Sequence, residues 1–75
     1  MEGIEMKLLS IVVPCYNEEE NISDFYDELM KTEAFFHAQD VELEVIYVDD
    51  GSKDGTVKNV RALHDRDERV HLVSF

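Results

Sequence analysis

The chain has 75 residues, which is enough for one small domain with a marginal core. Hydrophobic residues make up 44% and charged residues 33%, a composition typical of globular proteins and not of disordered ones. The formal net charge of −11 disfavours nucleic acid and bare anionic membranes as partners, although a local pocket can still bind one nucleotide.

The cysteine content and the amino terminus indicate the cellular compartment. The single cysteine, Cys15, excludes an internal disulfide and favours a reducing compartment. Residues 1–7 are acidic, unlike a secretory signal, and no run approaches the roughly 18 apolar residues of a membrane span. We therefore expect this segment to be soluble and cytoplasmic.

The first half of the chain predicts a strand and a helix. Leu8–Val13 is short, rich in β-branched residues and closed by Pro14, which predicts a parallel strand covered on both faces. Glu18–Glu20 place three carboxylates where a helix dipole favours them and predict a helix start. We expect that helix to end between Phe36 and Gln39. Its apolar face is predicted from residues at helical spacing, namely Ile22, Phe25, Tyr26, Leu29, Met30 and Phe36.

The second half predicts strand, helix and strand. Leu43–Val48 is a second strand, a dense turn signal follows at 49–56, and Val70–Phe75 is a third strand. Asp54 or Ser52 is expected to cap the intervening helix, which would turn Val57, Val60 and Leu63 inward. The order β-α-β-α-β predicts an α/β fold with a three-stranded parallel sheet, spatial order 3-2-1 and both helices on one face.

Two polar loops follow neighbouring strands of this predicted sheet. Pro14–Glu18 and Asp49–Ser52 both lie at carboxyl ends of strands, where α/β sheets bind ligands. The Tyr16 ring can stack, and a carboxylate can accept from a base N–H or from ribose hydroxyls. The pattern alone equally allows Asp49 and Asp50 merely to shape a tight turn, because Asp-Gly favours turns.

Other functional motifs fail on their spacing. The run 50–55 is similar to the start of a calcium loop, but it follows a strand and has Arg61 where a bidentate Glu is required. Neither G-x-G-x-x-G nor a P-loop is present. We therefore predict no metal site and no catalytic residue in these 75 residues. No metal-like spacing or nearby base supports such a role for Cys15, His37, His64 or His71.

Two segments carry a family resemblance. SIVVPCYNEEEN at 10–21 and VDDGSKDGT at 48–56 resemble glycosyltransferase family 2, nearest the bactoprenol glucosyltransferases and dolichyl-phosphate mannose synthases. The resemblance implies the GT-A, Rossmann-like fold, with residues 1–75 as the amino-terminal part of a nucleotide-sugar-binding domain. It implies that Asp49 or Asp50 contacts the base and that Gly51 and Ser52 let the backbone approach. It also implies a nucleotide pocket lined by Pro14, Tyr16, Asn17 and Glu18.

The resemblance further implies an inverting enzyme that transfers a hexose from a nucleoside-diphosphate sugar, UDP-glucose or a relative, to polyprenyl phosphate or another acceptor. Such an enzyme needs Mg²⁺ or Mn²⁺ on a later D-x-D-type motif and a downstream catalytic group. We therefore expect the chain to be an inactive fragment that self-associates through its uncovered sheet. The longer enzyme would reach the cytoplasmic face of a membrane only through other segments. The alternative is a stand-alone, non-catalytic nucleotide-binding or interaction module.

Overall fold

The computed structural model describes residues 5–75, and residues 1–4 of the acidic amino terminus lie outside the described residues. Within residues 5–75, no helix combines the length and the apolar character that a membrane span requires. Three strands and three helices follow one another in the order β1 (Lys7–Cys15), α1 (Ile22–Met30), α2 (Glu33–Ala38), β2 (Val41–Asp49), α3 (Thr56–Arg66) and β3 (Val70–Ser74).

The strands form one parallel sheet in the order β1-β2-β3, which confirms the predicted α/β fold and strand order. β1 and β2 pair along their whole length, and β3 pairs with the second half of β2. This register sets Cys15, Asp49 and Ser74 side by side at the carboxyl edge of the sheet. The two loops that leave β1 and β2 there are consequently neighbours.

The core lies between the helices and one face of the sheet. Side chains of β2 alternate between the two faces of the sheet, so that Leu43, Val45 and Tyr47 are buried. Val60 and Leu63 of α3 are buried against them, as predicted. Val57, also predicted to point inward, is only half-buried.

The opposite face of the sheet is uncovered in the part of the chain that the structure describes. Leu8 and Val12 are both 60% exposed there, and Val73 of β3 lies on the same face. This is the uncovered face that the strand order and the one-sided helices predict, so β1 is covered on only one of its faces within residues 5–75.

The predicted first helix is two helices, and it begins later than expected. Thr32 Oγ1 donates to the Leu29 carbonyl oxygen at 2.6 Å, a local bond that competes with helix continuation between α1 and α2. Helix α1 begins at Ile22, so the predicted start at Glu18–Glu20 is wrong; these residues form a turn in which the Asn21 N–H donates to the Glu18 carbonyl oxygen at 2.9 Å. The N–H groups of Glu18 and Glu19 donate to Thr56 Oγ1 at 2.8 Å and Asp54 Oδ2 at 3.3 Å, which holds this turn against the start of α3.

Two smaller expectations are also corrected. Gly55 holds the N-cap position of α3, although Asp54 Oδ1 accepts the Thr56 N–H at 3.0 Å. Ser52 does not cap the helix, because its hydroxyl bonds the Asp49 carboxylate instead. β3 ends at Ser74, and Phe75 follows it with its N–H on the Asp49 carbonyl oxygen at 3.0 Å.

Candidate functional site

An open cleft of about 580 Å³ lies at the carboxyl ends of β1 and β2. This is the edge where the order of elements places a ligand site. Half of the predicted site residues line the cleft, and three residues that were not predicted line it with them. The full set is Pro14, Cys15, Tyr16, Glu18, Val48, Asp50 and Phe75.

Tyr16 and Asp50 give the cleft its free polar and aromatic groups. Tyr16 lines the cleft and is 52% exposed, so its ring is accessible to a ligand. The Asp50 carboxylate is exposed and has no hydrogen-bond partner among residues 5–75. The Asp50 N–H donates to the Cys15 carbonyl oxygen at 3.3 Å, which ties the residue to the end of β1. The cleft thus offers one stacking surface and one unpaired acceptor.

Asp49 does not line the cleft, and its side chain is 1% exposed. Its carboxylate accepts the N–H of Gly51 at 3.2 Å, the N–H of Ser52 at 3.2 Å, and the Ser52 hydroxyl. The Ser74 hydroxyl donates to it from β3 at 3.4 Å. These bonds, above all that from the Ser52 hydroxyl, lower the pKa of the Asp49 carboxyl. Asp49 therefore remains an ionised acceptor turned toward its own loop.

The remaining predicted residues lie where the two loops meet. We call residues 16–21 the first loop and residues 50–55 the second loop. The Asn17 N–H donates to Ser52 Oγ at 2.9 Å, and Asn17 Oδ1 accepts the Lys53 N–H at 2.9 Å. Asn17 and Gly51 have positive φ angles of 51° and 78°, which Asn and Gly adopt more readily than other residues. Asn17 and Ser52 thus hold the two loops together, and none of Asn17, Gly51 and Ser52 lines the cleft.

Beside the cleft lies a smaller cavity of about 160 Å³, lined mainly by acidic and amide side chains. It takes in residues 17–21 and Asp54. No group of three His, Cys, Asp or Glu side chains within residues 5–75 could hold a metal ion. The described residues therefore do not fit a metal site.

Cys15, Val48 and Phe75 line the cleft but were not predicted as site residues. Cys15 and Val48 sit at the same strand ends as the predicted residues, and the end of β3 brings Phe75 to the same edge. Burial, followed by the nearby Asp49 charge, raises the pKa of the Cys15 thiol. Cys15 thus contributes packing surface and not a reactive thiolate.

Comparisons with known proteins agree on one family. The model described as "Glycosyl transferase family 2" matches residues 10–75. The chain is 39% identical over 67 residues to a prophage bactoprenol glucosyl transferase homolog of Escherichia coli K12, covering 89% of this chain and 21% of that protein. It is 34% identical over 68 residues to an undecaprenyl-phosphate 4-deoxy-4-formamido-L-arabinose transferase of Pseudomonas fluorescens, covering 91% and 19%.

A solved structure has the same fold. A mannosyltransferase from Pyrobaculum calidifontis, in complex with GDP-Man and Mn²⁺, superposes with a TM-score of 0.68 at 26% identity. The match covers 96% of this chain and 19% of that one. The chain thus spans about a fifth of the length of the relatives it matches.

Proposed function

The chain belongs to glycosyltransferase family 2 and has the fold of the GT-A enzymes, and on that premise we propose that its cleft binds the nucleotide of a nucleotide sugar. The observation that carries the proposal is the open Tyr16 ring and the unpaired Asp50 carboxylate in one cleft. Pro14 and Glu18 line the same cleft.

The chemistry of these two groups suits a nucleobase. A carboxylate accepts hydrogen bonds, so Asp50 can accept an N–H of the base, such as N3–H of uracil. The exposed Tyr16 ring offers the stacking surface, because every base has a π-face. Asp49 contributes no contact to the ligand in this proposal, since Gly51, Ser52 and Ser74 already occupy its oxygens.

For the whole enzyme we propose transfer of a hexose from UDP-glucose or a relative to polyprenyl phosphate at the cytoplasmic face of a membrane. The relatives named for bactoprenol and undecaprenyl phosphate support this acceptor. An acceptor phosphate oxygen forms the new bond to the anomeric carbon, and the bond to the nucleoside diphosphate breaks. The Mn²⁺ of the archaeal neighbour supports Mg²⁺ or Mn²⁺ for the whole enzyme, but no residue described in this chain is assigned to it.

Calorimetric titration of UDP into the 75-residue chain tests the nucleotide site. One stacked base at about 1–3 kcal/mol and one charge-assisted hydrogen bond at about 1.5–3 kcal/mol give a Kd of roughly 1 mM. Asp50→Asn and Tyr16→Ala should each weaken binding about tenfold or more. Asp65→Asn is the matched control, because it removes the same charge from an exposed position on α3. Tight binding that survives Asp50→Asn would refute the site.

Turnover by the purified chain is the second part of this test. We propose that these 75 residues transfer no hexose alone, because the described residues hold neither a set of metal ligands nor an assigned catalytic group. The assay supplies UDP-glucose, polyprenyl phosphate and Mg²⁺ or Mn²⁺. Measurable product above the protein-free rate would show that the chain is catalytically sufficient.

A further inference from the structure

The Ser52 hydroxyl joins the two loops of the cleft through one oxygen atom. It donates its proton to Asp49 Oδ1 and accepts the Asn17 N–H at 2.9 Å. A serine hydroxyl has one proton and two lone pairs, so the carboxylate that takes the proton leaves the lone pairs to face Asn17. Asp49 therefore determines which way the Ser52 hydroxyl points.

Asp49 is itself fixed from two directions. The N–H groups of Gly51 and Ser52 bond it within the second loop, and Ser74 Oγ approaches at 3.4 Å from the end of β3. Its side chain is buried, so no solvent competes for these bonds. The carboxylate thus links the end of β3 to the second loop.

Asn17 carries the effect to the cleft. It stands between Tyr16 and Glu18, which both line the cleft, and its φ of 51° is a conformation that non-glycine residues seldom adopt. Two hydrogen bonds hold Asn17 in this conformation. Its N–H donates to Ser52 Oγ, and its Oδ1 accepts the Lys53 N–H. Releasing Asn17 would let the backbone on either side of it move.

We propose that Asp49, Ser52 and Asn17 form a positioning relay that holds Tyr16 and Glu18 in place for the nucleotide without touching it. That the ligand is a nucleotide rests on the proposed function. The relay itself is a property of the free chain, so it can be tested without any ligand.

Amide hydrogen exchange of the free chain, resolved by residue with NMR, tests the relay. Ser52→Ala removes the acceptor of the Asn17 N–H and should speed exchange at Asn17 about 5- to 10-fold. Ser52→Thr keeps the hydroxyl and should restore the wild-type rate. Ser23→Ala, at an exposed position of α1, is the matched control and should change nothing at Asn17. Unchanged exchange at Asn17 in Ser52→Ala would overturn the relay.

UDP affinity supplies the second readout. Ser52→Ala should weaken UDP binding, and Ser52→Thr should recover it. Weaker binding in Ser52→Ala with unchanged exchange at Asn17 would mean that Ser52 contacts the ligand directly, and the relay would be wrong. If UDP binds neither form while Asn17 exchange responds as expected, the relay stands and the proposed function fails. Asp49→Asn should speed exchange at Asn17 and weaken UDP binding, as Ser52→Ala does. If Asp49→Asn does not fold, the comparison of Ser52→Ala with Ser52→Thr tests the relay.

Discussion

Asp49 and Asp50 are neighbours in the chain, but their carboxylates have opposite surroundings. Asp49 is the last residue of β2 and lies on the face that carries Val45 and Tyr47, so it is buried. Asp50 is one residue beyond the strand and reaches the cleft. One aspartate therefore shapes the loop, and the next aspartate in the chain is free to contact a ligand.

This contrast predicts different stabilities for two variants of equal net charge. Asp49→Asn turns one acceptor oxygen into an NH₂ donor facing the N–H groups of Gly51 and Ser52, so the melting temperature should fall clearly. Asp50→Asn alters an exposed group and should change the free energy of unfolding by no more than about 0.5 kcal/mol. Thermal unfolding followed by circular dichroism compares them. Equal melting temperatures would contradict the structural role of Asp49.

Asp67 anchors a second polar cluster, far from the cleft. Its carboxylate accepts Arg69 Nη2 at 2.8 Å, Arg69 Nε at 3.0 Å and the Tyr26 hydroxyl at 2.7 Å. The bonds from Arg69, more than those from Tyr26, hold the pKa of the Asp67 carboxyl well below its usual range. The cluster ties the start of β3 to α1.

Acid should therefore weaken the fold through Asp67. A carboxyl whose pKa is lowered by folding stabilises the native state above its unfolded pKa of about 3.9, and this stability is lost as the pH falls toward the folded pKa. At pH 7, Asp67→Asn should lower the free energy of unfolding by roughly 1.5–3 kcal/mol, and the difference from wild type should shrink below about pH 4. Denaturant unfolding at several pH values measures this. The Asp65→Asn control should keep the wild-type acid dependence.

At the scale of elements, the sequence predicted every strand, because each contains an apolar run bounded by turn residues. β2 begins at Val41, two residues before the predicted start, because Glu42 on the open face interrupts the apolar run. The prediction that Pro14 closes β1 is wrong, because β1 continues in register with β2 to Cys15. The start of α1 was missed for a different reason. The N–H groups of Glu18 and Glu19 bond residues 35 or more positions away, and helical periodicity carries no signal of that.

The cleft was predictable only in part. Strand ends indicate the edge of the sheet at which this cleft lies, and four of the eight residues assigned to the predicted nucleotide site line it, namely Pro14, Tyr16, Glu18 and Asp50. Which of the two aspartates lines the cleft could not be read from the sequence. It depends on Gly51 and Ser52 folding back onto Asp49, which is a consequence of backbone conformation at the end of β2.

Tyr47 at the centre of β2 gives a prediction at this scale. Its hydroxyl donates to the buried Ile22 carbonyl oxygen at 3.0 Å, and burial raises the pKa of Tyr47 to about 12. Tyr47→Phe should cost about 1–3 kcal/mol by leaving that oxygen without its partner. Because folding raises this pKa, the associated stability is complete below about pH 10 and is lost as the pH rises through about 12.

Denaturant unfolding and a tyrosinate absorbance titration measure these two effects. The exposed Tyr16 provides the control, and Tyr16→Phe should leave the free energy of unfolding nearly unchanged. Ionisation of Tyr47 near pH 10 without unfolding would contradict its burial.

At the scale of the whole molecule, the open sheet face competes with the net charge. Val12 lies there beside Ile46, and His71 continues the row on β3. The exposed apolar side chains of this face and the unpaired edge of β1 favour association, although Glu42 and Glu44 lie on the same face. The net charge of −11 opposes it, more strongly at low salt.

We therefore predict a dimer or larger assembly at micromolar concentration and moderate salt, measured by light scattering. Val12→Lys should shift the chain to monomer, because it places a charge in the apolar patch. Ala62→Lys, at an exposed position of α3, changes the net charge equally and should not disrupt assembly. A monomeric wild-type chain, or equal effects of the two lysines, would show that the open face does not drive association.

We propose above that a nucleotide binds at the carboxyl edge of this sheet, against Tyr16 and Asp50. The most direct measurement is a titration of the ¹⁵N-labelled 75-residue chain with UDP at millimolar concentration, followed by backbone amide shifts. We expect saturable shifts confined to residues 15–18, 48–52 and Phe75. Shifts centred on the open face at residues 8–12, or no shifts at all, would contradict it.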